Sequence, residues 1–181
     1  MNYYGAKELA VSYRTVRKNT LAIAQDIPAE KYGFRPAPDT RSVGELLTHI
    51  ALAYNFQYQV HAVERRATLQ GFDFPSLMGR MMAEEKRPRS KDEILELLRV
   101  DGEKWAGWLQ GLSDGFLGEQ VQMPQGASPA SKSRFEMILS VKEHEMHHRG
   151  QLMLVERVLG IVPHLTREMQ ARFAAASGAK S

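Results

Sequence analysis

Val141-Lys142-Glu143-His144-Glu145-Met146-His147-His148-Arg149-Gly150-Gln151-Leu152-Met153-Leu154-Val155 is the stretch that decides the fold. Val141, Leu152, Val155 and Leu159 recur at helical spacing, and His144 and His148 fall on the same stripe. The segment therefore reads as one long amphipathic helix that turns its histidines toward the interior. It starts near Ser133 and stops at Gly160, with Pro163 beyond. His144 and His148 are four residues apart, one turn of roughly 6 Å, so both rings can face one point. His147 is offset by about 60° from His144 and fits the stripe less well.

Working outward, three more long helices surround this one. The first runs from about Gly5 to Asp26, carried by Leu9, Tyr13, Val16, Thr20 and Ile23. The second opens at the capping box Ser42-Val43-Gly44-Glu45 and continues to about Leu69. Gly71 to Pro75 breaks the pattern, and a short Met-rich helix follows from Leu77 to about Lys86. A second capping box, Ser90-Lys91-Asp92-Glu93, opens the third long helix, which carries Ile94, Leu98, Trp105 and Leu109. Gly111 to Ser131 reads as a long loop, and its one strand-like piece, Val121-Gln122-Met123, reads as too short to matter. Thr166 is placed to cap a short last helix reaching about Ala175. The expected architecture is all-α, a four-helix bundle over 1–165, with 166–181 as a short helix and tail of the same domain.

Composition narrows the chemistry. The chain has 181 residues, six histidines and no cysteine. Disulfides, thiolate zinc sites, iron–sulfur clusters and a cysteine nucleophile are excluded. A transition-metal site must be built from His, Asp and Glu. The net charge of +3 is spread along the chain, so no nucleic-acid footprint is visible. No stretch reaches the ~18 apolar residues of a membrane span, and the charged N-terminal region does not read as a signal peptide. The expectation is a cytoplasmic protein acting on a small molecule, without nucleic-acid or membrane partners.

A third ligand should come from another helix. His49 lies in the apolar run Leu46-Leu47-Thr48-His49-Ile50-Ala51, where an unpaired imidazole would be costly. His61, among Gln57, Gln59 and Glu64, reads as exposed, and His164 after Pro163 reads as surface. The spacing thus favours His49, His144 and His148 as one metal site with an open position. A competing reading takes His144-Glu145-Met146-His147-His148 as the H-E-x-x-H motif of zinc peptidases, with Glu145 as base and Glu168 as third ligand. The longer motif fails at Gln151 and Leu154, and no substrate-binding sheet is legible. Beside a three-His metal, Glu145 is the nearest candidate catalytic base. It or Gln151 could instead orient the ring of His148. Gly150 reads as a point of close helix approach.

These residues resemble the DinB/YfiT-like family of metal-dependent four-helix-bundle proteins. Three segments carry the resemblance, in order. They are Tyr32-Gly33-Phe34-Arg35-Pro36-Ala37-Pro38 leading into Ser42–Ile50, the third helix with Trp105, and the His144–Leu152 segment, similar to the family's H-x-x-H-H-R-G-Q. The resemblance implies metal ligands at His49, His144 and His148, an up-up-down-down bundle and frequent homodimers. It also implies a divalent ion such as zinc, nickel or iron, and either thiol-dependent S-transfer or hydrolysis. Any low-molecular-weight thiol would have to arrive as a cosubstrate. A non-catalytic metal-binding protein is the alternative.

Overall fold

Four helices carry the core in this computed structural model, which describes residues 4–178. α1 (Ala6–Asp26) buries Leu9, Tyr13, Val16, Thr20 and Ile23 at three- and four-residue steps. α2 (Val43–Leu52) starts at the expected box: the Ser42 hydroxyl accepts from Glu45 N at 3.2 Å, and the Glu45 carboxylate accepts from Ser42 N at 2.8 Å. Ser90 and Glu93 repeat this at the start of α5 (Lys91–Gln110). Ser133 caps α7 (Arg134–Val158), and Gly160 turns the chain away at φ +78°.

α1 packs against α5 and α7, and α2 packs against the same two helices. Consecutive long helices, α1 with α2 and α5 with α7, are therefore not the principal packing partners. The long connections over 27–42 and 111–133 make those crossings possible.

Several boundaries differ from the sequence expectation. The second helix does not run to Leu69. It breaks at Ala53, resumes as α3 (Tyr54–Tyr58), and ends in a wide π turn over Gln59–Val63, closed by Glu64 N donating to Gln59 O at 2.9 Å. The wider turn buries His61, expected to be exposed. Its Nε2–H donates to Gln57 Oε1 at 3.0 Å, and Arg134 donates to its Nδ1 at 2.9 Å. α4 (Phe74–Lys86) starts earlier than expected, because the Asp73 carboxylate caps it and Pro75 fits the first turn.

The 111–131 segment holds α6 (Asp114–Gly118) and β1 (Gln120–Gln122), which pairs antiparallel with β2 (Ser131–Ser133). The short strand does matter. Val121 is fully buried and clusters with Val60 and Met137. α8 (His164–Gly178) begins at His164 rather than after Thr166, and His164 is buried, not at the surface. Of the expected tail, residues 179–181 lie outside the described residues. Among the described residues no helix is long and apolar enough to cross a membrane.

Two apolar clusters fill the bundle. One centres on Ile23, Leu47, Ile50, Leu98 and Leu152, the other on Tyr13, Tyr54, Trp105, Leu109 and Ile138. α1, α5 and α7 each pass from one cluster to the other, whereas α2 lies in the first and Tyr54 of α3 joins the second. A polar layer marks the change. Arg17 on α1 pairs with Glu145 on α7, at 2.9 Å from Nε to Oε1, and also donates to Leu98 O at 2.6 Å.

Candidate metal centre

α7 places His144 and His148 one turn apart, and α2 presents His49 to the same point. His49 Nε2 is 3.0 Å from His144 Nε2, and His148 Nε2 is 3.1 Å from the same atom. One ring nitrogen from each histidine lies within 4.8 Å of the other two. His148 is buried, while His49 and His144 are half-buried.

Neighbours fix two of the rings. His49 Nδ1–H donates to Glu85 Oε2 at 2.9 Å, and Glu85 is also paired with Arg41. His148 Nδ1–H donates to Gln151 Oε1 at 2.8 Å, and the Gln151 amide donates to His147 Nε2 at 3.1 Å. A neutral imidazole carries one proton. With that proton on Nδ1, the Nε2 atoms of His49 and His148 both present lone pairs toward His144. A single Nε2–H on His144 cannot satisfy both along good directions. Converging lone pairs are what a cation requires, so the donor set fits a divalent metal.

The electrostatics agree. Burial, reinforced by His148 and His49, pushes His144 down to about 4, and burial also lowers His148. Both rings are therefore neutral at physiological pH, the form that ligates metal. Burial acts to raise the Glu85 carboxyl, but hydrogen bonds from His49 and Arg41 outweigh it and hold the group below its usual value. His144 Nδ1 is buried without a partner.

The three histidines favoured by spacing come together. The other expectations fare differently. Glu145 is not at this point: Arg17 donates to both its carboxylate oxygens, and the side chain is 1% exposed. A carboxylate so held is engaged by α1 and makes no hydrogen bond to the three histidines, which speaks against the reading as a catalytic base. The peptidase reading loses its base for the same reason, and Glu168 is exposed on α8, outside the histidine group. Gly150 makes no close approach, since a Cβ there would meet nothing within 4 Å. No sequence signal links Glu85 to His49, because α4 and α2 are joined through an irregular segment that gives no periodic relation between them.

A cavity of about 700 Å³ opens beside the histidines. His148, Gln151 and Glu85 form part of its wall, with Arg35, Arg41 and Lys86 among its charged residues and Val43, Leu46, Leu152 and Val155 among its apolar ones.

Comparison with known proteins agrees with this architecture. The protein YjoA of Bacillus subtilis, whose function is uncharacterized, is 21% identical over 155 residues, covering 86% of this chain and 91% of that protein. Its crystal structure, described as that of a DinB-like protein, superposes with a TM-score of 0.62 at 19% identity, covering 84% of this chain and 92% of that one. YfiT from Bacillus subtilis, described as a probable metal-dependent hydrolase with an unusual four-helix bundle topology, gives a TM-score of 0.65 at 11% identity, covering 89% and 91% of the two chains. A family model of the DinB superfamily matches residues 12–152. With that match spanning most of the bundle, the chain belongs to the DinB superfamily.

Proposed function

We propose that this chain binds one divalent metal ion through His49, His144 and His148 and hydrolyses a small molecule in the adjoining cavity. The observation that carries the reading is the convergence of three imidazole nitrogens, two of them held as lone-pair donors by Glu85 and Gln151. Three neutral imidazoles suit zinc, nickel or iron. The description of YfiT as a probable metal-dependent hydrolase supports the same reaction class.

A divalent ion bound there supplies a Lewis-acidic centre that lowers the pKa of a coordinated water and polarises a carbonyl or phosphoryl oxygen. The chain's own residues do the rest. Glu85 and Gln151 hold two of the rings in register. A site of three protein ligands leaves room for water or substrate, as hydrolytic metal sites require. The cavity wall at His148 gives a small molecule access to that room. Arg17 on α1 pairs with Glu145 on α7, the residue next to His144 in the chain, and so ties the two helices together at the level of the histidines.

The test is a turnover screen of the metal-loaded protein against esters, amides and phosphoesters, each with and without low-molecular-weight thiols. The reading expects hydrolysis without added thiol, lost in His144→Ala. Turnover only with a thiol would replace hydrolysis by thiol transfer. No turnover with any class, in protein carrying a full complement of metal, would leave a non-catalytic metal-binding protein.

A further inference from the structure

The cavity wall contributed by α7 does not end at the histidines. It continues from His148 and Gln151 through Leu152, Leu154 and Val155 to Val158. At 1.5 Å per residue, this places Val158 roughly 15 Å along the helix from His148. Leu152 and Val155 are buried and join Val43 and Leu46 from α2 as a packed apolar floor. Leu154 and Val158 are 64% and 62% exposed. They stand one turn apart on the same cavity wall. Large aliphatic side chains left open beside a cavity form a surface that gains from being covered.

The charged residues around this floor are largely engaged with one another. Arg35 donates to Glu45 at 2.6 Å, and Arg41 pairs with Glu85. Arg35, Arg41 and Lys86 are balanced in the cavity wall by Asp39, Glu45 and Glu85. The trough therefore has no net charge with which to select an ionic group, while its floor is aliphatic.

We infer that this trough binds the hydrocarbon chain of the substrate, so that the small molecule acted on at the histidines carries a medium-length acyl or alkyl chain laid along α7 from His148 toward Val158. The inference rests on the metal-site reading for the substrate's reacting end. Continuity of the trough with His148 is what assigns it to substrate rather than to another protein.

Two hydroxamic acids test it, because the hydroxamate head chelates metal and the tail is variable. Acetohydroxamate and octanohydroxamate are titrated into zinc-loaded protein by calorimetry. Each methylene transferred from water to an apolar surface is worth about fourfold in affinity. Octanohydroxamate carries six more methylenes than acetohydroxamate, and covering about three to four of them in the open trough should make it bind about 100-fold more tightly. In the double variant Leu154→Asp, Val158→Asp that ratio should fall to within about threefold of unity. Equal affinities for the two compounds in wild type overturn the inference. So does a ratio that survives the double variant.

If the protein takes up no zinc, the metal reading fails, and the trough is judged separately by methyl NMR of metal-free protein. There octanohydroxamate must shift the methyls of Leu154 and Val158, and unmoved methyls overturn the inference. A double variant that converts a dimer to a monomer while octanohydroxamate affinity is unchanged assigns the trough to a second copy of the chain and likewise overturns it.

Discussion

Arg17 on α1 donates to both carboxylate oxygens of Glu145 on α7, at 2.9 Å from Nε to Oε1 and 2.9 Å from the terminal Nη2 to Oε2. Both side chains are almost fully removed from solvent. Removing one partner leaves a buried uncompensated charge, typically worth 3–5 kcal/mol. Glu145→Ala should therefore lower unfolding stability by about 3–5 kcal/mol in urea denaturation. Arg17→Met combined with Glu145→Leu should recover much of that loss. An unchanged urea midpoint in Glu145→Ala, accompanied by loss of turnover, would instead return Glu145 to a catalytic role.

Glu85 acts on His49 from the far side of the ring. Carboxylates in this position fix the ring's orientation and raise its basicity, and their removal commonly costs 10- to 100-fold in metal affinity. Glu85→Ala should weaken metal binding by about 10- to 100-fold in a chelator competition. Glu85→Gln keeps an acceptor oxygen and should fall between the two. An unchanged affinity in Glu85→Ala would show that His49 needs no such support.

Two helical glycines should respond oppositely to alanine. A Cβ at Gly102 would lie 2.9 Å from Cγ of Arg17 and 3.1 Å from its Nη1, and Arg17 is held by Glu145 and Leu98 O. Gly102→Ala should be destabilising by about 1–3 kcal/mol despite its better helix propensity. A Cβ at Gly150 meets nothing within 4 Å, so Gly150→Ala should stabilise by about 0.5–1 kcal/mol. Thermal denaturation of the two variants compares them directly. A matching sign would contradict the packing described around Arg17.

Glu156 is fully buried near the end of α7, with neither carboxylate oxygen hydrogen-bonded. Burial, aided by Asp26 and opposed by Arg167 and Arg157, pushes it up to about 7. Its folded pKa thus exceeds the ordinary carboxylate value, so the folded protein holds the extra proton between about 4.5 and 7. Stability associated with this group is complete below that window and is lost as pH rises through it. Glu156→Gln removes the titration. Relative to wild type, the variant should gain stability between pH 4.5 and pH 8, in urea unfolding at the two pH values. A stability difference that is the same at both would show that Glu156 titrates normally.

Much of this was legible because it depended on local rules. Ser42 with Glu45, Ser90 with Glu93 and Gly160 mark helix ends through short-range hydrogen bonds or backbone angle, and each stands where its residue type requires. His144 and His148 share a face through helical spacing alone. Tertiary effects were less visible. The π turn at Gln59–Val63 carries His61, whose partner Arg134 is distant in sequence. The role of Glu145 depends on Arg17 from another helix, and nothing local to either residue marks the pair. Glu85 reaches His49 through packing of α4 on α2, which no periodicity in either helix announces.

The central claim is that His49, His144 and His148 hold a metal ion. Elemental analysis by mass spectrometry of untagged protein tests it most directly, with a parallel preparation of His144→Ala. The account predicts close to one zinc, nickel or iron ion per chain in wild type and its loss in the variant. Wild-type protein that carries no metal, and whose thermal stability does not rise on adding any of the three ions, would contradict it.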